Sequence, residues 1–274
     1  MGRVSDRVRR LRRGKKSSIL KLPNELMLDI GKHLTALVDL RALTLSNKRL
    51  QRILGGELYK RDPNLALRAG MRRRELKTVE NALLAGAEVD FCPFPLFGPT
   101  PLQQAARGGW EDGVRLLLKH GADHGMKTNS RVRSALHLMI ASPLPGGNPE
   151  SYLRIAKAFV DHDADVDRVN ENITALFLAA RHGDLEMVRF LLDNNAKIKF
   201  TGPNHPTRGS ALHVAVGTSN KDMVKLLLER GAAVDGRDKR GQTPLSMARK
   251  YRKSSIENLL VRYGGAKAVL NHSS

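Results

Sequence analysis

Residues 100–123 read TPLQQAARGGWEDGVRLLLKHGAD, and the reading of the whole chain turns on them. Thr100 can open a first helix and cap it with its hydroxyl. Leu102 and the small pair Ala105-Ala106 let that helix press against a neighbour. The Leu117-Leu118 pair of a second helix fills the layer behind, and Gly121 ends that helix in a left-handed turn. One such helix pair cannot bury its own apolar face, so it needs copies of itself to stack on.

The copies are present. The closing phrase recurs as Ala82-Leu83-Leu84-Ala85-Gly86-Ala87, Phe159-Val160-Asp161-His162-Asp163-Ala164, Leu191-Leu192-Asp193-Asn194-Asn195-Ala196, Leu227-Leu228-Glu229-Arg230-Gly231-Ala232 and Leu260-Val261-Arg262-Tyr263-Gly264-Gly265. Its last residue steps by 35, 42, 32, 36 and 33 positions from Ala87 to Gly265. The opening phrase recurs as Ser134-Ala135-Leu136-His137, Thr174-Ala175-Leu176-Phe177, Ser210-Ala211-Leu212-His213 and Thr243-Pro244-Leu245-Ser246. Two linked phrases returning near every 33 residues resemble the ankyrin repeat over residues 62–265. The first copy, Leu65–Gly70, lacks the opening phrase, as a terminal unit does. The third carries extra residues within 142–149, and the fourth-to-fifth connection is longer through 202–206. The fourth has Asn195 where the helix-ending glycine is usual. In the resemblance, the histidine three places after Ser134 or Ser210 braces the hairpin, so His137 and His213 read as structural.

Upstream, residues 19–59 are dense in leucine. Pro23 suits the first position of a helix, with Glu25 in its first turn. Leu26, Ile30 and Leu34 follow at four-residue spacing as one apolar stripe. Asp39 is a plausible N-cap for a second helix carrying Leu40, Leu43 and Leu45. Ser46 or Asn47 caps a third, which Gly55-Gly56 ends. Three short helices of this size cannot bury all their leucines among themselves, so some face a partner or the repeats.

Leu22-Pro23-Asn24-Glu25-Leu26, Ile30, Leu34, Asp39-Leu40, Leu43, Lys48-Arg49-Leu50 and Leu58-Tyr59 together resemble an F-box, here followed directly by a degenerate ankyrin unit as in fungal F-box/ankyrin proteins. That resemblance implies docking on a Skp-type adaptor of a cullin-RING ubiquitin ligase, with the repeats capturing the target. The adaptor interface would then involve Leu22, Pro23, Glu25, Leu26, Ile30, Leu34, Leu40 and Leu43. The other reading is a helical cap on a repeat scaffold without ligase coupling.

Composition sets the remaining bounds. Apolar residues make up 41% and aromatics 4% of the 274, which favours helices over a sandwich or barrel. Cys92 is the single cysteine, so no internal disulfide forms, which fits cytosol or nucleus. The net charge is +20, of which residues 1–18 carry +7, with Asp6 as their lone acid. This arm reads as solvated; a nuclear import signal or a mitochondrial presequence shares its composition. The basic surface favours acidic partners. Aromatics are too sparse for a nucleic-acid stacking platform, and no finger or helix-turn-helix spacing occurs, so nucleic acid is not the expected primary partner. No run of apolar residues is long enough to span a membrane. No His-Glu-x-x-His, paired cysteines, Gly-x-Ser-x-Gly elbow or phosphate-binding loop is present, so no catalytic centre, metal or cofactor is expected.

The expected architecture is therefore all-α. It comprises a basic arm (1–18), an F-box of three helices (19–61), about six helix-turn-helix ankyrin units with short hairpin loops stacked as a solenoid (62–265), and a tail (266–274). Target capture is expected on the hairpin tips and the exposed side of the first helices, through Phe97, Arg107, Trp110, Arg131, Arg133, Arg181, His182, Arg208 and Lys221. Trp110 stands out as the aromatic anchor.

Overall fold

Each repeat is closed by one backbone device. Gly86, Gly121, Asp163, Asn195, Gly231 and Gly264 all take φ between 59° and 94°, one at the end of each second helix. The following N–H then reaches back to a carbonyl five residues earlier, as Ala164 does to Phe159 and Ala196 to Leu191 at 3.0 and 2.9 Å. Asn195 makes the turn that four of the other five copies make with glycine. Asparagine is the residue that best tolerates this region after glycine. Asp163 makes the same turn in the third copy.

The computed structural model describes residues 19–34, 37–92, 98–126, 134–142, 149–169, 173–199 and 209–264. The arm, the tail, and the insertions within 143–148 and 202–206 lie outside them. The described residues form fifteen α-helices and one 3-10 turn, with no β-strand among them. The chain divides into two compact units, Met1–Phe91 with Lys119–Ala122, and Cys92–Leu118 with Asp123–Ser274.

The first unit holds α1 (Asn24–His33), α2 (Leu37–Ser46), α3 (Lys48–Arg61), α4 (Pro63–Arg73) and α5 (Leu76–Leu84). Met27, Leu40, Leu50 and Leu54 form its first core, with Leu20, Leu22, Leu34, Leu43 and Ile53 packed around them. α1 buries Met27 and Gly31 against this core. A Cβ at Gly31 would stand 2.5 Å from Leu54 Cδ2, so α1 approaches α3 this closely only because residue 31 has no side chain. Of the expected stripe, Leu26 and Ile30 lie on the other side of α1, 50% and 37% exposed, while Leu34 packs on the core.

Two arginines lock the bundle. Arg49 donates to the carbonyls of Leu20 and Leu22 and to Asn24 Oδ1, pinning the N-terminal 3-10 turn to α3. Arg61 donates to the carbonyls of Leu34 and Lys32, which close the C-terminus of α1. Asn47, rather than Ser46, caps α3 by accepting from the Arg49 N–H at 2.8 Å. α2 begins at Leu37, which puts Asp39 in its first turn instead of at its cap. Gly55-Gly56 does not end α3, which continues to Arg61 and buries Leu58. The apolar contact made by Leu58 outweighs the roughly 1 kcal/mol that each mid-helix glycine costs. Asp62 then accepts from the Leu65 N–H at 2.9 Å and starts α4. Leu65, Ala66, Leu67, Gly70 and Met71 pack on Thr78, Val79, Ala82 and Leu83 of α5.

The second unit stacks five helix pairs: α6 (Pro101–Arg107) and α7 (Glu111–Lys119); α8 (Ala135–Ala141) and α9 (Pro149–Val160); α10 (Ala175–His182) and α11 (Leu185–Asp193); α12 (Ala211–Gly217) and α13 (Lys221–Glu229); α14 (Pro244–Lys250) and α15 (Ser254–Arg262). The first helices stack in the order α6, α8, α10, α12, α14. Thr100, Thr174 and Thr243 cap them by accepting the N–H three residues on, at 3.1–3.2 Å. Leu102, Leu136, Leu176, Leu212 and Leu245 are buried, as are the small pairs Ala105-Ala106 and Ala179-Ala180.

Candidate protein-binding surfaces

In three of the five first helices of this unit, the third residue ties one repeat to the next. Gln103 donates through Nε2 to the Met126 carbonyl at 2.8 Å, while its Oε1 accepts from the Thr100 N–H. His137 Nε2 meets the Ile173 carbonyl at 3.1 Å, and His213 Nε2 meets that of Gln242 at 3.0 Å. A carbonyl only accepts, so both imidazoles carry their proton on Nε2. Nδ1 of His213 is therefore free to accept from the Ser210 N–H at 3.1 Å. Burial pushes the His213 imidazolium pKa down, against a smaller opposing pull from the Gln242 carbonyl. Phe177 occupies the same position in the fourth repeat and packs as a buried ring. Both histidines are structural, as read from their spacing, and Gln103 performs the same task with an amide.

These braces hold the first helices parallel, and their exposed side forms a groove. It measures about 450 Å³ and runs along α10, α12 and α14. Val214, Gly217, Met247 and Tyr251 give it apolar surface, and Arg181 and Arg240 line it together with Asp238. Tyr251 is 52% exposed. Lys250 and Lys253 place their ammonium groups 5.7 and 5.6 Å from its centroid. Lys253 is held there by donating to the Val216 and Gly217 carbonyls at 2.6 and 2.8 Å, and desolvation lowers its pKa. Residues 237–253 hold seven lysines and arginines against Asp238 alone, whose Oδ1 is engaged by the Arg240 and Gln242 N–H groups. The groove is apolar at its floor and cationic at its rim.

Within the repeats, ion pairs fall mainly on the second helices and the loops, although Arg249 of α14 pairs with Glu257 of α15 at 2.9 Å. Glu111 joins Arg154 of the next repeat at 2.7 Å and Arg115 at 3.2 Å. The Arg154 hydrogen bond is the main cause holding this carboxyl below its usual pKa, with burial opposing it. Arg230 reaches Asp193 at 2.8 Å. No group of three or more acidic, histidine or cysteine side chains is placed to hold a metal among the described residues. No described helix is long and apolar enough to cross a membrane.

Family comparisons agree with this geometry. The family model for the ankyrin repeat matches residues 97–129, one for many ankyrin repeats matches 149–192, and one for three ankyrin repeats matches 201–271. The chain is an ankyrin-repeat protein. The ankyrin repeat domain of Bcl-3, described as a unique member of the IkappaB family, superposes with a TM-score of 0.62 at 25% identity, over 73% of this chain and 86% of that one. An ankyrin repeat domain from Acinetobacter baumannii AYE gives 0.62 at 27% identity, over 72% and 97%. Among curated proteins, the human B-cell lymphoma 3 protein is 33% identical over 154 residues, covering 54% of this chain and 32% of its own. The mouse palmitoyltransferase ZDHHC13 is 30% identical over 185 residues, covering 68% and 28%. The ankyrin-repeat protein thus spans less than a third of the length of either. No F-box family model matches the chain.

The expected target-binding residues divide. Arg181 lines the groove. Arg107 holds the matching place on α6 and is exposed. His182 ends α10, Lys221 begins α13, and both are exposed. Trp110 is half-buried and lays its ring over Gly113 of its own repeat, where an added Cβ would come within 2.3 Å of it. One face of that indole is therefore used internally. Phe97, Arg131, Arg133 and Arg208 lie outside the described residues. Sequence reading missed Tyr251, Met247 and Arg240. Their only signal was a basic run around one tyrosine.

The expected adaptor-binding residues divide as well. Leu40 is fully buried in the bundle core. Leu22, Leu34 and Leu43 are partly buried on that core. Pro23, Glu25, Leu26 and Ile30 remain exposed along α1.

Proposed function

We propose that this ankyrin-repeat protein is a non-catalytic receptor that holds an acidic protein segment along α10, α12 and α14. The observation that carries this reading is the groove with an apolar floor, a half-exposed tyrosine and a cationic rim. Tyrosine and arginine are the residues that most often anchor protein interfaces. Gly217 provides the test, because a Cβ added there meets nothing within 4 Å. Gly217→Leu fills the groove without disturbing the helices. Partners recovered by the wild-type chain and absent with Gly217→Leu support the reading; an unchanged partner set rejects it.

A second reading is favoured by one observation. Leu26 and Ile30 point away from the bundle core beside Pro23 and Glu25, leaving an apolar strip on α1. That strip supports the F-box resemblance, with the first unit docking a Skp-type adaptor and the repeats presenting the target to a ubiquitin ligase. Calorimetry with a purified Skp-type adaptor tests it. Binding that is lost in Leu26→Ser/Ile30→Ser and kept in Gly217→Leu supports ligase coupling. No binding to the intact protein leaves the scaffold reading alone.

A further inference from the structure

The first unit contains a concavity that neither surface above uses. An open cleft of about 850 Å³ lies between α3 and α5, with Gly55 and Gly56 on one wall and Leu76 on the other. Leu76 is 40% exposed. Lys48, Arg52 and Lys77 surround the opening. None of the three makes an ion pair or hydrogen bond among the described residues, whereas Arg49 and Arg61 of the same helix spend theirs on backbone carbonyls. Glu75 is the one acid in the lining, and its Oε2 accepts from the Thr78 hydroxyl at 2.9 Å. The cleft therefore carries an excess of two positive charges around an apolar patch.

The glycines explain why the space is open. α3 runs straight through both, although glycine weakens a helix interior. A Cβ at Gly56 would meet nothing within 4 Å. A larger residue at position 56 would occupy the cleft instead of being refused by it.

We propose that this cleft is a second docking site, distinct from the groove of the repeats, for an acidic segment of a partner protein. Carboxylates of the segment would meet Lys48, Arg52 and Lys77, and an apolar side chain between them would rest on Leu76 against the bare backbone of Gly55-Gly56. Charge complementarity selects this occupant. The lining has no aromatic ring for base stacking, and Glu75 opposes a continuous polyanion, so a nucleic acid fits less well. The chain's own basic arm is of the wrong sign.

The test uses the full-length chain and a short synthetic peptide of glutamates flanking a leucine pair. Backbone amide shifts locate the peptide, and their titration at Gly55, Gly56 and Lys77 measures its affinity for this cleft at two salt concentrations. The expected result is perturbation of the Gly55, Gly56 and Lys77 amides and binding that weakens as salt rises. Affinity should drop about tenfold or more in both Gly56→Leu and Lys48→Ser/Arg52→Ser. Tyr251→Ala, which alters only the repeat groove, should leave these shifts and this affinity unchanged. Shifts confined to residues of the repeats, wild-type affinity in Gly56→Leu with unchanged helicity, or tighter binding of a homopolymeric RNA at the same amides would each overturn the proposal. Failure here leaves the groove along α10, α12 and α14 untouched, since that site is read through Gly217→Leu.

Discussion

The helices of the N-terminal bundle and those of the repeats are built from the same residues and held by different means. In the repeats, side chains at one fixed position, Gln103, His137 and His213, brace three of the units to the next through a half-buried backbone carbonyl. In the bundle there is no such period. α1 meets α3 at a bare glycine, and two arginines reach from α3 to backbone carbonyls almost thirty residues away. A periodic brace distributes stability over many equivalent contacts, so one defect stays local. An aperiodic bundle concentrates it in a few contacts, so one defect is felt throughout.

Substitutions at these contacts separate the two modes of stabilisation. Leu54→Ala removes a fully buried side chain shared by α1 and α3 and should cost about 2–5 kcal/mol by denaturant unfolding, with loss of the whole bundle. Gly31→Ala forces α1 off Leu54 and should cost about 1–3 kcal/mol, although alanine is the better helix former. His213→Ala leaves the Gln242 carbonyl without its donor and should cost about 1–3 kcal/mol. Hydrogen exchange should then place that loss in the last two repeats and not in α6–α9.

The His213 brace also has a pH signature. Its folded pKa is depressed below the unfolded value of about 6.5, so the unfolded chain binds the proton more readily. The contribution is complete above about pH 6.5 and is lost as pH falls through the lower folded value. Wild-type stability should therefore decline on acidification in this window. His213→Gln, which can copy the Gln103 geometry, should flatten that decline. The smallest expected effect is at the surface: Arg230→Ala breaks an exposed pair with Asp193 and should change stability by about 1 kcal/mol or less.

The repeats were legible because their signals are local and recur. A cap three residues before its N–H partner and a left-handed residue after a leucine pair are fixed by sequence distance alone, which is why even Asn195 was found. The bundle was less legible because its decisive contacts are single events. α1 carries two apolar stripes, Leu26-Ile30 and Met27-Gly31, and the larger side chains drew attention to the stripe that faces out. Gly55-Gly56 looks like a helix end in isolation, and the burial of Leu58 with the Arg61 hydrogen bonds beyond it keeps α3 going. The groove was half legible. Arg181 was named from its place on a first helix, but Tyr251 becomes significant only when α12 and α14 stand side by side.

The claim that the repeats bind through the exposed side of their first helices is tested most directly by site-specific photo-crosslinking. A photoreactive side chain at Met247 lies in the groove, and one at Lys225 lies on an exposed position of the second helix α13. The account predicts protein adducts from position 247 that disappear when Gly217→Leu is added, and none of the same species from position 225. Equal adducts from both positions, or adducts at 247 indifferent to Gly217→Leu, would contradict it.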